Sequence, residues 1–384
     1  MDNLFTLNST DESDGLPQAE AYVWILGTKY NSKKDIDEIR NDIKSRLWFT
    51  YRKGFVPIGG FGSSFTSDKG WGCMLRCGQM VLGQALVSLH LGRSWRWTPE
   101  TKNSTYYKIL KSFEDRRAAP YSIHQIALTG ASEGKTVGEW FGPNTIAQVL
   151  KKLVVFDDWS ALTIHVALDN ALIVNDVIRQ CRVESASTAE VDGDVPLKAP
   201  SQWKPLLLLI PLRLGLNEIN PIYISGLKTS FQFPQSLGLI GGKPSHALYF
   251  IGYVGDEVIF LDPHTTQRYG STDQTSDDYD PNIDTTYHCK TATKTNFRNG
   301  SFSSSLLGSS SSSGGAGPVR IDHNQSGYSL SGFNLTSSPP SFKRFVPQQY
   351  VNNLFTSSST GNLIFSFEAL FGLVIFLPFP PGHT

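Results

Sequence analysis

The segment WKPLLLLIPLRLG, residues 203–215, constrains the fold more than any other stretch of the chain. An unbroken apolar run of that length fits a strand covered on both faces, which belongs at the centre of a sheet. Two further apolar runs follow in ALYFIGYVGDEVIFLDPH, residues 247–264, on either side of Val254-Gly255-Asp256. That spacing reads as a β-hairpin. Helical patterns fill the first half instead. Ile36, Ile39, Ile43 and Leu47 recur at helical spacing behind Ser32, a candidate N-cap, and Met74, Cys77, Val81, Ala85 and Leu89 mark a second apolar stripe. STYYKILKSFEDR and PNTIAQVLKKL give two more helices, the latter entered through Pro143 and Asn144, and YVWILG (22–27) gives a leading strand. Helices first, then strands paired without helical crossovers, predict an α+β fold rather than a doubly wound sheet.

Composition changes along the chain set the expected boundaries. Residues 1–20 form an acidic leader, and residues 21–269 carry the periodic patterns of a folded domain. Residues 270–361 are polar, Ser/Gly-rich and aperiodic, the composition of disorder. Residues 362–384 end the chain in an abruptly apolar stretch, NLIFSFEALFGLVIFLPF at 362–379, which reaches the lower length limit for a membrane span. Glu368 and Gly372 lie inside it, so an atypical tail is the first reading and a tail anchor the alternative. The 34 basic and 34 acidic side chains cancel without a basic run, which speaks against a nucleic-acid partner. The N-terminus has no apolar secretory core. Four scattered cysteines (Cys73, Cys77, Cys181 and Cys289) make neither a disulfide framework nor a zinc pattern, so the expectation is a cytoplasmic protein with no metal and no cofactor.

One cysteine stands out. Cys73 opens the helical stripe directly after Gly70-Trp71-Gly72, where unpaired backbone N–H groups and the helix dipole favour a thiolate and face a developing oxyanion. Cys77, one turn inside, reads as core. A cysteine nucleophile needs a base and the base an orienter. His90 and His165 fall inside helix or strand patterns, and His323 and His383 in the tail. His264 closes the strand EVIFLDPH with Asp262 two residues before it. In extended chain those two side chains share a face, with Cα atoms about 6.5–7 Å apart, so the carboxylate can fix the imidazole tautomer. These residues support a thiol hydrolase or transferase, with an inert buried thiol as the alternative.

The segments RLWFTYRKGF, SDKGWGCMLRCGQM, LGRSWRWT, PYSIHQIA, WFGPNTIAQVLKKL, LIPLRLGLNEINPIY and GLIGGKPSHALYFIGYVGDEVIFLDPHTTQ, in this order between about Tyr22 and Gln267, resemble the autophagin family of cysteine peptidases. The resemblance implies a papain-like fold with a small inserted subdomain. It implies an endopeptidase that cleaves the precursor of the ubiquitin-like autophagy modifier (GABARAP-type) after a glycine and releases the modifier from phosphatidylethanolamine at the autophagosomal membrane surface. It makes Cys73 the nucleophile, His264 the general base and then acid, Asp262 the orienter and Tyr51 an oxyanion donor. Trp140 and Pro244 become the cover of the substrate groove, on a lid whose freedom comes from Gly238, Gly241 and Gly242.

After YHCKTA (287–292) the chain departs from the family pattern, which continues with a helix and a further strand. If that strand belongs to the central sheet, its loss would expose an unpaired edge. A catalytically impaired, modifier-binding variant is therefore an alternative, and a ubiquitin-specific peptidase is another.

Overall fold

The computed structural model describes residues 20–59, 62–167, 172–183, 202–215, 219–289, 293–296 and 370–377. In chain order, β1 (Tyr22–Ile25) and β2 (Thr28–Asn31) form a hairpin, followed by α1 (Ile36–Lys44) and β3 (Tyr51–Lys53). Four helices come next: α2 (Cys73–His90), α3 (Ser104–Lys111), α4 (Ile123–Thr129) and α5 (Pro143–Leu153). Then come β4 (Thr163–Val166), α6 (Val174–Cys181), β5 (Arg182–Val183), β6 (Gln202–Trp203), β7 (Leu206–Arg213) and α7 (Ile224–Ser230). The remaining strands are β8 (Ser236–Lys243), β9 (His246–Val254), β10 (Glu257–Leu261), β11 (Thr266–Arg268), β12 (Thr293–Asn296) and β13 (Leu370–Leu377).

The main sheet has nine strands, ordered β12-β10-β9-β8-β13-β7-β4, with the β1–β2 hairpin attached to β9. β7 alternates between two cores, as its unbroken apolar run requires: Leu207 and Leu209 face the larger core, and Leu206, Leu208 and Ile210 the smaller one beside α7. Helix α2 is buried from Cys73 to Val87, with β8 and β9 on one side and α3, α4 and α5 on the other. A helix covered all round must approach its neighbours closely. A Cβ on Gly78 would sit 2.4 Å from Ile146 Cγ1, so glycine is what lets α5 cross there.

Helix α1 begins after Asp35 rather than from Ser32, whose hydroxyl accepts the Ala21 amide at the base of the first hairpin. Two larger differences lie beyond residue 269. First, residues 270–289 are folded, although their composition reads as disordered. Ile283, Tyr287 and His288 are buried, His288 stacks on Trp97 at 3.8 Å between ring centroids, and its ring nitrogens bond Tyr106 Oη and the Lys44 carbonyl, each at 2.7 Å. Long-range anchors hold this segment, and they leave no periodicity to read. Second, residues 370–377, expected as an atypical tail, form strand β13 between β7 and β8, antiparallel to both, with Leu373 opposite Ile210 and Leu239. The central sheet therefore has no gap at β8. No helix among the described residues is long and apolar enough to cross a membrane. The leader up to residue 19 and residues 297–369 lie outside the described residues.

His288 pins the 270–289 segment through two hydrogen bonds and one ring stack. His288→Ala should cost about 2–4 kcal/mol, read as a lower urea midpoint at unchanged slope.

Candidate active site

Three chain segments converge on Cys73. The loop before α2 turns at Gly70, in the left-handed region at φ 89°, and closes through Gly72 N–H donating to the Asp68 carbonyl at 2.8 Å. Gly72 caps α2 without a side-chain hydrogen bond, so the first-turn amides beside Cys73 carry no side-chain acceptor. Cys73 itself is fully buried.

The second segment leaves β10 through Asp262-Pro263-His264. Asp262 Oδ1 accepts both the His264 amide, at 2.9 Å, and the His264 Nδ1–H, at 2.5 Å, and Cys73 lies near enough to favour the protonated imidazole. Burial works against protonation of His264, but Asp262 and Cys73 outweigh it and hold the imidazole up to about 10. Burial pushes Asp262 up; the hydrogen bonds and positive charge of His264 more than reverse this and keep its carboxyl below the usual range. A cation thus sits between a carboxylate and the thiol.

The third segment is β3, where the Tyr51 amide donates to the Pro263 carbonyl at 2.9 Å. Its ring stands edge-on to His264 at 5.5 Å. The Tyr51 hydroxyl is buried, has no oxygen or nitrogen partner among the described residues and lies beside the Cys73 sulfur. Burial first, then the Cys73 charge, push its ionisation far up, so it stays a hydrogen-bond donor. Trp48 Nε1 donates to the Asp262 carbonyl at 2.8 Å and fixes that turn from below. Cys77 is buried with its thiol pushed well up, mainly by desolvation, and has the character of core.

The remaining candidates fall differently. Trp140 is half-buried just ahead of α5, and its indole N–H has no partner among the described residues. Pro244 is exposed at the tip of the β8–β9 hairpin. Gly241 and Gly242, expected on a loose Gly-rich lid, are strand residues of β8, paired with Leu248 and Ala247 on one side and with Phe371 and Leu370 on the other. Glycine is required there by crowding: Gly242 has φ 143°, and a Cβ would fall 2.2 Å from the His246 carbonyl oxygen. The part that reaches the site is the two-residue turn Pro244-Ser245. Ser245 holds φ 62°, and its carbonyl accepts His264 Nε2–H at 3.0 Å. Ser245 escaped the sequence reading because its contribution is a backbone carbonyl, which no side-chain pattern announces.

A buried thiol, an imidazolium bonded to a carboxylate and a phenolic donor are the groups that thiol hydrolases use. Comparison with known proteins gives the family: the Peptidase C54 catalytic domain matches residues 36–309. The chain is 50% identical over 294 residues to human cysteine protease ATG4A, covering 73% of this chain and 72% of that protein. It is 54% identical over 268 residues to cysteine protease ATG4B of Xenopus laevis, covering 68% and 69%. Bovine cysteine protease ATG4A is 50% identical over 295 residues. The protein is a cysteine endopeptidase with a papain-like domain. It belongs to the Peptidase C54 family, the autophagins.

Because folding raises the His264 pKa above its ordinary value of 6.5, the native state holds that proton more tightly than the unfolded chain. The resulting stabilisation is fully present below pH 6.5 and is lost as pH rises toward about 10. Urea midpoints measured between pH 6 and 10 should fall with this slope in wild type, and the slope should flatten in Asp262→Asn.

Proposed function

We propose that this peptidase cleaves the precursor of the ubiquitin-like autophagy modifier after a glycine near its C-terminus, and cuts the same glycine from phosphatidylethanolamine on autophagosomal membranes. One observation supports it above the others: His264 Nδ1–H donates to Asp262 at 2.5 Å beside the buried Cys73, and the Tyr51 ring stands edge-on to the same imidazole at 5.5 Å.

In this reading the Cys73 thiolate adds to the glycine carbonyl carbon. The oxyanion is received by Tyr51 Oη–H and the Cys73 backbone N–H. His264 delivers its proton to the departing amine, whose C–N bond breaks to leave a thioester on Cys73. Water then adds to the thioester while His264 takes its proton, the C–S bond breaks, and the thiolate returns. Asp262 keeps Nδ1 protonated throughout, so that Nε2 faces the reacting atoms. The Ser245 carbonyl occupies Nε2–H before substrate arrives, so the Pro244-Ser245 turn must move aside when the modifier tail enters, with Trp140 completing the cover over a groove too narrow for a side chain at the cleaved residue. The site works in the cytoplasm, reaching membranes through the conjugate.

The impaired-binder alternative is disfavoured by β13, which pairs one edge of the strand leading into that turn while β9 pairs the other. The same pairing favours a core role for residues 370–377 over a membrane anchor.

Mass spectrometry of the modifier precursor incubated with full-length protein tests the proposal. Wild type should remove the residues after the glycine, and Cys73→Ala should leave the precursor intact. Tyr51→Phe should retain binding but lower kcat about 100–1,000-fold, the scale of one lost oxyanion donor. An intact precursor in the presence of folded wild type would refute the assignment, and so would cleavage of a ubiquitin probe in its place.

A further inference from the structure

Charged side chains are rare inside the core, yet four surround the start of α2. Arg52, Asp68, Arg76 and Asp115 are each at most 2% exposed. Together they balance, two positive against two negative. Arg76 grips both carboxylates in fork fashion. Its Nε and Nη2 reach Asp68 at 2.8 and 3.1 Å, and its Nη1 and Nη2 reach Asp115 at 2.9 and 3.0 Å.

The two aspartates differ in what else they touch. Among the described residues, the Asp115 carboxylate accepts side-chain hydrogen bonds from the Arg76 guanidinium. Asp68 also accepts the Arg52 backbone N–H at 2.7 Å, the amide on the C-terminal side of Tyr51. Its carbonyl accepts the amides of Trp71 and Gly72, at 3.2 and 2.8 Å, and closes the turn that delivers Cys73. The carboxylate is pressed so closely to Gly72 that a Cβ there would lie 2.3 Å from Oδ2. The other side of Tyr51 is held by the Pro263 carbonyl, one residue before His264. Tyr51 is therefore suspended between the histidine arm and Asp68, and Asp68 is fastened to the cysteine helix. Arg52 completes the frame: its guanidinium donates to the Arg268 and Thr286 carbonyls, at 3.1 and 3.3 Å, and lies over the Tyr287 ring.

We propose that Asp68 is a positioning residue for the peptidase reaction, its carboxylate fixing the Cys73 helix against the Tyr51 strand so that nucleophile and oxyanion donor address one carbonyl carbon. The proposal rests on the roles given above to Cys73 and Tyr51. Asp68 touches no substrate. Its effect passes through Gly72 on one side and the Tyr51–Arg52 peptide on the other. Loss of the clamp leaves the groove in place and misaligns the reacting groups, and a displacement of about 1 Å is worth about a hundredfold in rate.

Asp68→Asn is the test, since its single acceptor oxygen can replace Oδ1, which takes the Arg52 amide and Arg76 Nη2, but its amide nitrogen leaves Arg76 Nε without an acceptor and breaks the charged fork. Asp115→Asn is its control, because it weakens the same buried guanidinium without touching the backbone near the site. With the modifier precursor as substrate, Asp68→Asn should lower kcat about 30–100-fold with KM within about twofold. Asp115→Asn should lower the melting temperature comparably while keeping kcat within about threefold. Iodoacetamide labelling of Cys73 at pH 6.5 provides a second readout that needs no substrate. It should slow about tenfold in Asp68→Asn and less than about twofold in Asp115→Asn, because only the first substitution releases the Cys73 helix from its place beside the His264 imidazole. Failure of wild type to cleave the precursor would count against the proposed substrate, and labelling would still decide the role of Asp68. Parallel losses of kcat and labelling in both variants, or unchanged kcat in Asp68→Asn, would reduce Asp68 to a stabilising residue and overturn the proposal. If Asp68→Asn does not fold, Arg76→Lys, which keeps the charge but loses the fork, should show the same split between kcat and KM; unchanged kcat there would overturn it equally.

Discussion

Everything in this molecule is arranged around one constraint: the helix that begins with Cys73 is buried on every side as far as Val87. Its apolar residues are satisfied by the sheet below and by α3, α4 and α5 above. Its fully buried arginine and glutamines have no water to turn to, and each finds a partner inside. Gln79 donates to the Tyr121 carbonyl and Gln84 accepts from Arg46, both at 2.8 Å, while Arg76 is taken up by its two carboxylates. Unpaired buried polar groups cost on the order of 1–3 kcal/mol each, so these partners are a condition for the helix being where it is. Rigidity of the helix start follows, and with it a sulfur held in one place.

The chemistry then comes from short connections at the ends of strands. Asp262 and His264 lie just past β10, Tyr51 opens β3, and Ser245 sits between β8 and β9. Strands fix where these residues emerge, and two-residue spacings fix which way they face. The carbonyl of Ser245 and the thiol of Cys73 address the same imidazole. The resting site is therefore electrostatically assembled but sterically occupied.

Much of this was legible from residue order. Cys73 at a helix start, the Asp262–His264 pair at a strand end and the hairpin around Gly255 rest on local periodicity or short spacing, which a linear reading detects; the 206–213 strand is interior, as its apolar run requires, but lies next to the edge strand β4 rather than at the centre. What escaped had long-range causes. The 270–289 segment is held by His288 against Trp97, Tyr106 and Lys44, residues that lie far back in the chain. The glycines of β8 resemble those of a loose loop, because freedom and crowding select the same residue. Arg76 did leave a trace, a lone charge amid the apolar residues of α2, though its carboxylate partners could not be deduced from spacing.

The position of β13 also has a consequence for how the molecule is made. Its neighbours β7 and β8 leave the ribosome long before residues 370–377 do, and neither can find its central partner until then. For that interval two apolar strands carry unsatisfied edges, the state in which nascent chains are most open to chaperone capture or to pairing with the wrong strand. Because β8 runs directly into the turn that touches His264, the catalytic centre is among the last parts of the molecule to be framed. A partly synthesised chain holds the cysteine, the tyrosine and the histidine but not the sheet that brings them to bear on one another, so proteolytic competence is deferred until residues 370–377 have been made.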